Sequence, residues 1–87
     1  MNYEDVFVNR QERFAIGTET GSGQHYVSIP VSNRMVDYLE YYAIDQASYD
    51  LFLRDPVAAL QFVERCRKRE ADDLLLHEPG ADRGVAS

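Results

Sequence analysis

His25 is the first side chain in this sequence that could do chemistry, because an imidazole titrates near neutral pH. It precedes Val27 by two positions in an alternating segment, so it shares the apolar register of that segment. A histidine serves as a base or a pH switch only with a partner for its second nitrogen, and the sequence supplies no such partner. We therefore predict that His25 lies at the rim of the core with one hydrogen bond.

His77 follows Asp73 by four residues, which would put both side chains on one face if a helix extended that far. A zinc site takes three or four ligands, so this pair does not make one. The segment Gly21-Ser22-Gly23 also differs from a phosphate-binding loop, since no Lys-Ser/Thr pair and no helix signal follow it. The sequence predicts no metal and no cofactor.

Cys66 is the single cysteine of the chain and lies between Arg65 and Arg67. Neighbouring cations make an exposed thiol more reactive. However, Cys66 continues the apolar stripe of Ala59 and Val63, which predicts burial as a small apolar side chain. Because one cysteine cannot form an intramolecular disulfide, a reducing compartment is favoured.

The basic run at residues 65–69 is the remaining candidate, since it could bind an anion. Glu64, Glu70, Asp72 and Asp73 flank the run and largely neutralise it, which favours a solvated, salt-bridged helix end. No nucleophile elbow, zinc knuckle or paired-carboxylate arrangement appears. We therefore predict that the chain is not an enzyme.

Composition restricts the partners of the chain. Its 87 residues are enough for one domain, and 45% are hydrophobic, which suffices for a core. Fifteen acidic and nine basic residues give a net charge of −6, which disfavours nucleic acids and anionic membranes. Apolar runs such as Leu74-Leu75-Leu76 are too short to span a membrane, and residues 1–5 lack the features of a signal peptide. We expect a cytoplasmic protein.

Two alternating segments predict strands at residues 13–18 and 25–31. The loop between them contains two glycines, which suit a hairpin turn. Pro30 cannot donate to a ladder, so the second strand is expected at an edge, or to end there.

Residues 36–44 are open to two interpretations. Met35, Leu39 and Tyr42 have helical spacing, but the segment is rich in β-branched and aromatic residues, which fit a pleated sheet. We favour a third strand. Asp45 and the pair Asp55-Pro56 are then start signals for two helices.

Strands followed by helices predict an α+β domain, in which about three antiparallel strands form a meander and two helices pack on one face. This single domain covers residues 13–76. Residues 1–12 form an N-terminal arm or an edge strand through the apolar patch Val6-Phe7-Val8. Residues 77–87 are expected to be a flexible tail that the domain does not need.

The predicted strands divide their side chains between two faces. One face, expected under the helices, carries Phe14, Ile16, Val27, Ile29, Val31 and Tyr38. The opposite face carries Ala15, Tyr26, Ser28, Leu39, Tyr41 and Ala43. This face is more apolar than a solvated sheet face should be. Either the face is a contact surface, or the Val6–Val8 patch or the Leu74–Leu76 run covers it. Tyrosine is enriched at contact surfaces, so Tyr26, Leu39 and Tyr41 are the candidate interface.

These observations favour a non-catalytic interaction module whose partner is another protein or a second copy of the chain. Two alternatives stay open. The first is an immunity-type or inhibitor protein whose acidic surface binds a basic partner. The second is a small-ligand-binding domain that uses His25 and the strand tyrosines, although 87 residues without a converging polar cluster argue against it.

Overall fold

The computed structural model describes residues 2–33, 36–77 and 83–86. It confirms the α+β class, with five strands instead of about three. No helix among the described residues is long and apolar enough to cross a membrane. The elements are β1 (Tyr3–Asn9), β2 (Phe14–Glu19), β3 (His25–Ser32), β4 (Asp37–Ile44), α1 (Gln46–Arg54), α2 (Pro56–Arg67), a 3-10 turn (Asp72–Leu74) and β5 (Val85–Ala86).

The strands form an antiparallel meander in the order β1-β2-β3-β4, and β5 adds to β3. The segment that was ambiguous in the sequence is strand β4, which pairs with β3 along its whole length. Pro30 lies between the stretch of β3 that pairs with β2 and the stretch that pairs with β5. This position suits a residue that has no amide hydrogen to donate. The expectation that this strand lies at an edge or ends at Pro30 is wrong, because β3 lies between β2 and β4 and continues to Ser32.

The N-terminal arm is an edge strand, one of the two predicted alternatives. It pairs with β2, and its register shifts between Asp5 and Phe7. A bulge of this kind places an additional residue, Val6, in the strand. On either side of the shift, Asp5 pairs with Gly17 and Val8 pairs with Ala15, so the side chains of Asp5 and Val8 share one face of the sheet.

Both helices begin where the sequence predicts. The Asp45 carboxylate accepts a hydrogen bond from the amide of Ser48 at 2.8 Å, which caps α1. Pro56 opens α2. At the other end of α2, Arg69 adopts a left-handed φ of 60°, and the amide of Glu70 donates to the carbonyl of Arg65 at 2.8 Å. This is a Schellman ending, in which glycine is the usual residue at the position of Arg69.

The helices pack on the face of the sheet that was predicted to lie beneath them. The core consists of buried apolar side chains from both layers, among them Phe14, Ile16, Val27, Ile29, Phe52, Val63 and Cys66. The helices therefore cover one face of the sheet and do not cover the opposite face.

The expectation of a flexible tail is wrong for residues 83–86. The amide of Gly84 donates to the hydroxyl of Tyr38 at 2.7 Å, and the Arg69 guanidinium donates to the carbonyl of Gly84 at 3.0 Å. Arg83 forms ion pairs with Glu40 at 2.8 Å and with Asp72 at 2.7 Å. These partners are distant in sequence, so no local pattern indicates them. Residues 78–82 and 87 lie outside the described part of the chain.

Candidate functional site

The face of the sheet opposite the helices is the candidate site, and we call it the open face. Ala15 pairs with Ser28, and Ser28 pairs with Tyr41, so these three side chains form one row across it. Tyr26 lies two residues from Ser28 in β3, and Leu39 lies two residues from Tyr41 in β4, so both side chains are on the same face. The predicted division of side chains between the two faces is therefore confirmed for β2, β3 and β4.

Three tyrosines close one half of the open face. The rings of Tyr3 and Tyr41 stack with centroids 3.8 Å apart, and both meet the ring of Tyr26 edge-on, at 5.4 and 5.0 Å. Edge-to-face and offset-stacked contacts are the favourable arrangements of aromatic rings. We call this group the tyrosine cluster.

Tyr26 is the centre of the tyrosine cluster and has no exposed surface. Its hydroxyl donates to the Asp5 carboxylate at 2.5 Å. Gly17 makes room for the ring, since a Cβ at that position would lie 2.5 Å from the Tyr26 hydroxyl. Burial, and then the bond to Asp5, raise the pKa of Tyr26 well above its usual value of 10.0.

The exposure predicted for Tyr26 is therefore wrong. The residue that covers it is Tyr3 of β1, outside the Val6–Val8 patch that the sequence indicated as a cover. His77 lies beside Tyr3, with ring centroids 6.0 Å apart and a hydrogen bond between the Tyr3 hydroxyl and its Nε2. Of the three predicted interface residues, Tyr26 is buried, Tyr41 is half-buried, and Leu39 is 47% exposed.

The other half of the open face is a groove of about 350 Å³. Its floor consists of small or short side chains: Ala15, Ser28 and Pro30. Val8, 53% exposed, forms the flank on β1, and Leu39 forms the flank on β4. We call this region the groove.

Charged residues lie at the two ends of the groove. Asp5 marks the end next to the tyrosine cluster, and Arg10 and Arg13 mark the end next to the turn between β1 and β2. Arg13 adopts a left-handed φ of 58° in that turn. The groove thus combines an apolar centre with charged ends.

The sequence did not indicate the groove. Asp5, Val8 and Arg10 belong to residues 1–12, whose pairing with β2 was left undecided between an arm and an edge strand. The shift in register between Asp5 and Phe7 interrupts the alternation of β1, so period-two reasoning does not assign these side chains to a face.

His25 makes two hydrogen bonds, one more than predicted, and both are structural. Its Nε2 lies 2.9 Å from Oε1 of Gln46, whose amide nitrogen donates to Asp50 at 2.9 Å. That second bond fixes the orientation of the amide, so Nε2 carries the proton and Nδ1 accepts from the Thr18 hydroxyl at 2.8 Å. The ring also stacks on Tyr49 with centroids 3.7 Å apart. Both nitrogens are thus occupied at the rim of the core, as expected for a histidine with a structural role.

Cys66 is buried, as predicted, with 1% of its surface exposed. Burial raises the pKa of its thiol to about 12, against the smaller opposing effect of Arg65. The thiol is therefore protonated at neutral pH and is a poor nucleophile.

The basic run at residues 65–69 serves the fold. Arg67 forms an ion pair with Glu64 at 2.7 Å, and the Arg65 guanidinium lies 5.9 Å from the centroid of the Phe62 ring. Arg69 holds the carbonyl of Gly84. Within residues 2–33, 36–77 and 83–86, no group of three or more His, Cys, Asp or Glu side chains is arranged to hold a metal ion.

Comparison of the chain with protein-family models, with curated proteins and with solved structures finds no match.

Proposed function

We propose that this chain is a non-catalytic protein-interaction module that binds a polypeptide in the groove of its open face. The observation that carries the proposal is the contrast between the two halves of that face. The chain covers one half with its own tyrosines, whereas Val8 and Leu39 flank an apolar floor that stays open in the other half.

Several features support a protein partner over a small ligand. A groove of about 350 Å³ is within the size range of ligand sites, but such sites bury most of the ligand surface. Here the flanking side chains, Val8 and Leu39, are themselves about half exposed, so a small molecule would remain in contact with water. A polypeptide would cover the flanks as well as the floor.

The remaining alternatives have less support. Arg10 and Arg13 at one end of the groove disfavour a basic partner in this place. His25 has both ring nitrogens bonded, and Cys66 is buried, which gives no support to an enzymatic role. We propose that the protein acts in the cytoplasm, since its one cysteine has no disulfide partner. We also propose that it acts without a cofactor. Its net charge of −6 disfavours nucleic acid as the partner.

The proposal is tested with a photo-activatable phenylalanine analogue at Leu39, with the same analogue at Val57 as the control. Val57 is exposed on α2, away from the open face. We expect illumination of cells to attach a polypeptide of defined mass to the Leu39 variant and not to the Val57 variant. Equal labelling at both positions, with circular dichroism confirming the fold, would contradict the proposal.

A further inference from the structure

At the end of the groove near the turn between β1 and β2, the two flanks carry opposite charges. On the β1 flank, Arg10 comes two residues after Val8 and lies at the end of the groove. On the β4 flank, Leu39 lies two positions from Asp37, which alternation places on the same face. Val36, next to Asp37, is also exposed. At this end of the groove, one flank thus carries a cation and the other a carboxylate, whereas Asp5 lies at the opposite end of the β1 flank.

The two flanks do not complement each other within one molecule. β1 and β4 are separated by two strands in the sheet order, which corresponds to about 14 Å at the usual spacing of strands. Asp37 accepts a hydrogen bond from the Ser32 hydroxyl at 2.6 Å, a neutral partner on the adjacent strand. No ion pair joins Arg10 to Asp37 among the contacts of the described residues.

A two-fold axis over the groove would satisfy both flanks at once. In an isologous dimer, every contact occurs twice. If residue i of the first copy contacts residue j of the second, then residue j of the first copy contacts residue i of the second. The basic flank of each copy would then face the acidic flank of the other, giving two Arg10–Asp37 contacts. Leu39 on the β4 flank of each copy would then lie against the β1 flank of the other, near Val8.

We infer that the occupant of the groove is a second copy of this chain, related by a two-fold axis that pairs Arg10 of each copy with Asp37 of the other. This inference rests on the proposed function, because it names the partner of the same groove. A standard interface takes about 800 Å² from each partner, which is about one-seventh of the 5550 Å² surface of the chain. The contact therefore has to include both flanks as well as the floor.

The experiment is a charge exchange, measured by sedimentation velocity of the purified chain over a concentration series. Arg10→Glu alone places two carboxylates opposite each other at both contacts, and Asp37→Lys alone places two cations there. Because each reversal turns two attractions into repulsions, we expect the dimer dissociation constant to rise about tenfold in each variant. An equimolar mixture of the two variants restores both ion pairs, so we expect it to associate as the wild type does.

The matched controls are Lys68→Glu and Asp73→Lys, which make the same changes of net charge at exposed positions that do not line the groove. We expect both controls to associate like the wild type. A wild-type dimer that neither reversal weakens, or a mixture that fails to recover, would overturn the arrangement. A wild-type chain that stays monomeric while the Leu39 cross-linker captures another protein would overturn the second copy and leave the proposed function standing. Absence of both association and capture would overturn both.

Discussion

Replacing Arg83 with methionine removes the cation that neutralises Glu40. The Glu40 side chain is 7% exposed, and its carboxylate accepts hydrogen bonds from Arg83 at 2.8 and 3.1 Å and from the Tyr42 hydroxyl at 2.8 Å. In the Arg83→Met variant, the Tyr42 hydroxyl is the remaining partner of the carboxylate among the hydrogen bonds of the described residues. A buried carboxylate would then be left without a compensating charge.

The magnitude follows from the burial of the pair. Removing one partner of a buried ion pair costs about 3–5 kcal/mol. The second contact of Arg83, with Asp72, adds little, because that carboxyl is 41% exposed and exposed pairs contribute about 0–1 kcal/mol. Since a domain of this kind is stable by only about 5–15 kcal/mol, we expect Arg83→Met to lower the free energy of unfolding by about 3–4 kcal/mol.

The assay is equilibrium urea unfolding of the full chain, with Arg54→Met, a change at an exposed position of α1, as the control. The double variant Glu40→Gln, Arg83→Met tests the cause, because a neutral amide needs no cation and should recover much of the loss. A loss below about 1 kcal/mol for Arg83→Met, the range of ordinary surface changes, would refute the reasoning. So would a double variant that is no more stable than the single one.

Three further predictions concern the interior. Cys66 should react with a thiol reagent much more slowly in the native protein than in denaturant, because burial raises its pKa to about 12; equal rates would show that it is accessible. Gly17→Ala should lower the thermal midpoint by an amount that corresponds to about 1–3 kcal/mol, since a Cβ there would lie 2.1 Å from the Glu4 carbonyl oxygen; an unchanged midpoint would mean that β1 does not pack as described. Tyr26 has a raised pKa in the folded state, so its contribution to stability is complete below pH 10, its unfolded value, and is lost as the pH rises above it. Circular dichroism during an alkaline titration should show the Tyr26→Phe variant losing structure less steeply above pH 10 than the wild type, and identical slopes would contradict this assignment.

The sequence alone determined the features that depend on local pattern. The alternation of residues 25–31 assigned Val27 and Ile29 to the core face and Tyr26 to the opposite one, and the structure confirms this division. Asp45 and Pro56 marked the starts of both helices, because the capping side chain and the proline act on backbone within one turn. The helical stripe placed Cys66 inside for the same local reason.

Only the tertiary structure decided what covers each face and which charges meet. Tyr3 closes over Tyr26 because the bulged strand β1 pairs with β2 in a register that alternation does not encode. Arg83 meets Glu40 across 43 positions, which turned an expected flexible tail into part of the fold. The groove depends on Val8 and Leu39, whose strands lie at opposite sides of the sheet. The groove therefore depends on the spatial order of the strands in the sheet. Contacts between residues so far apart in sequence leave no periodic signal in the chain.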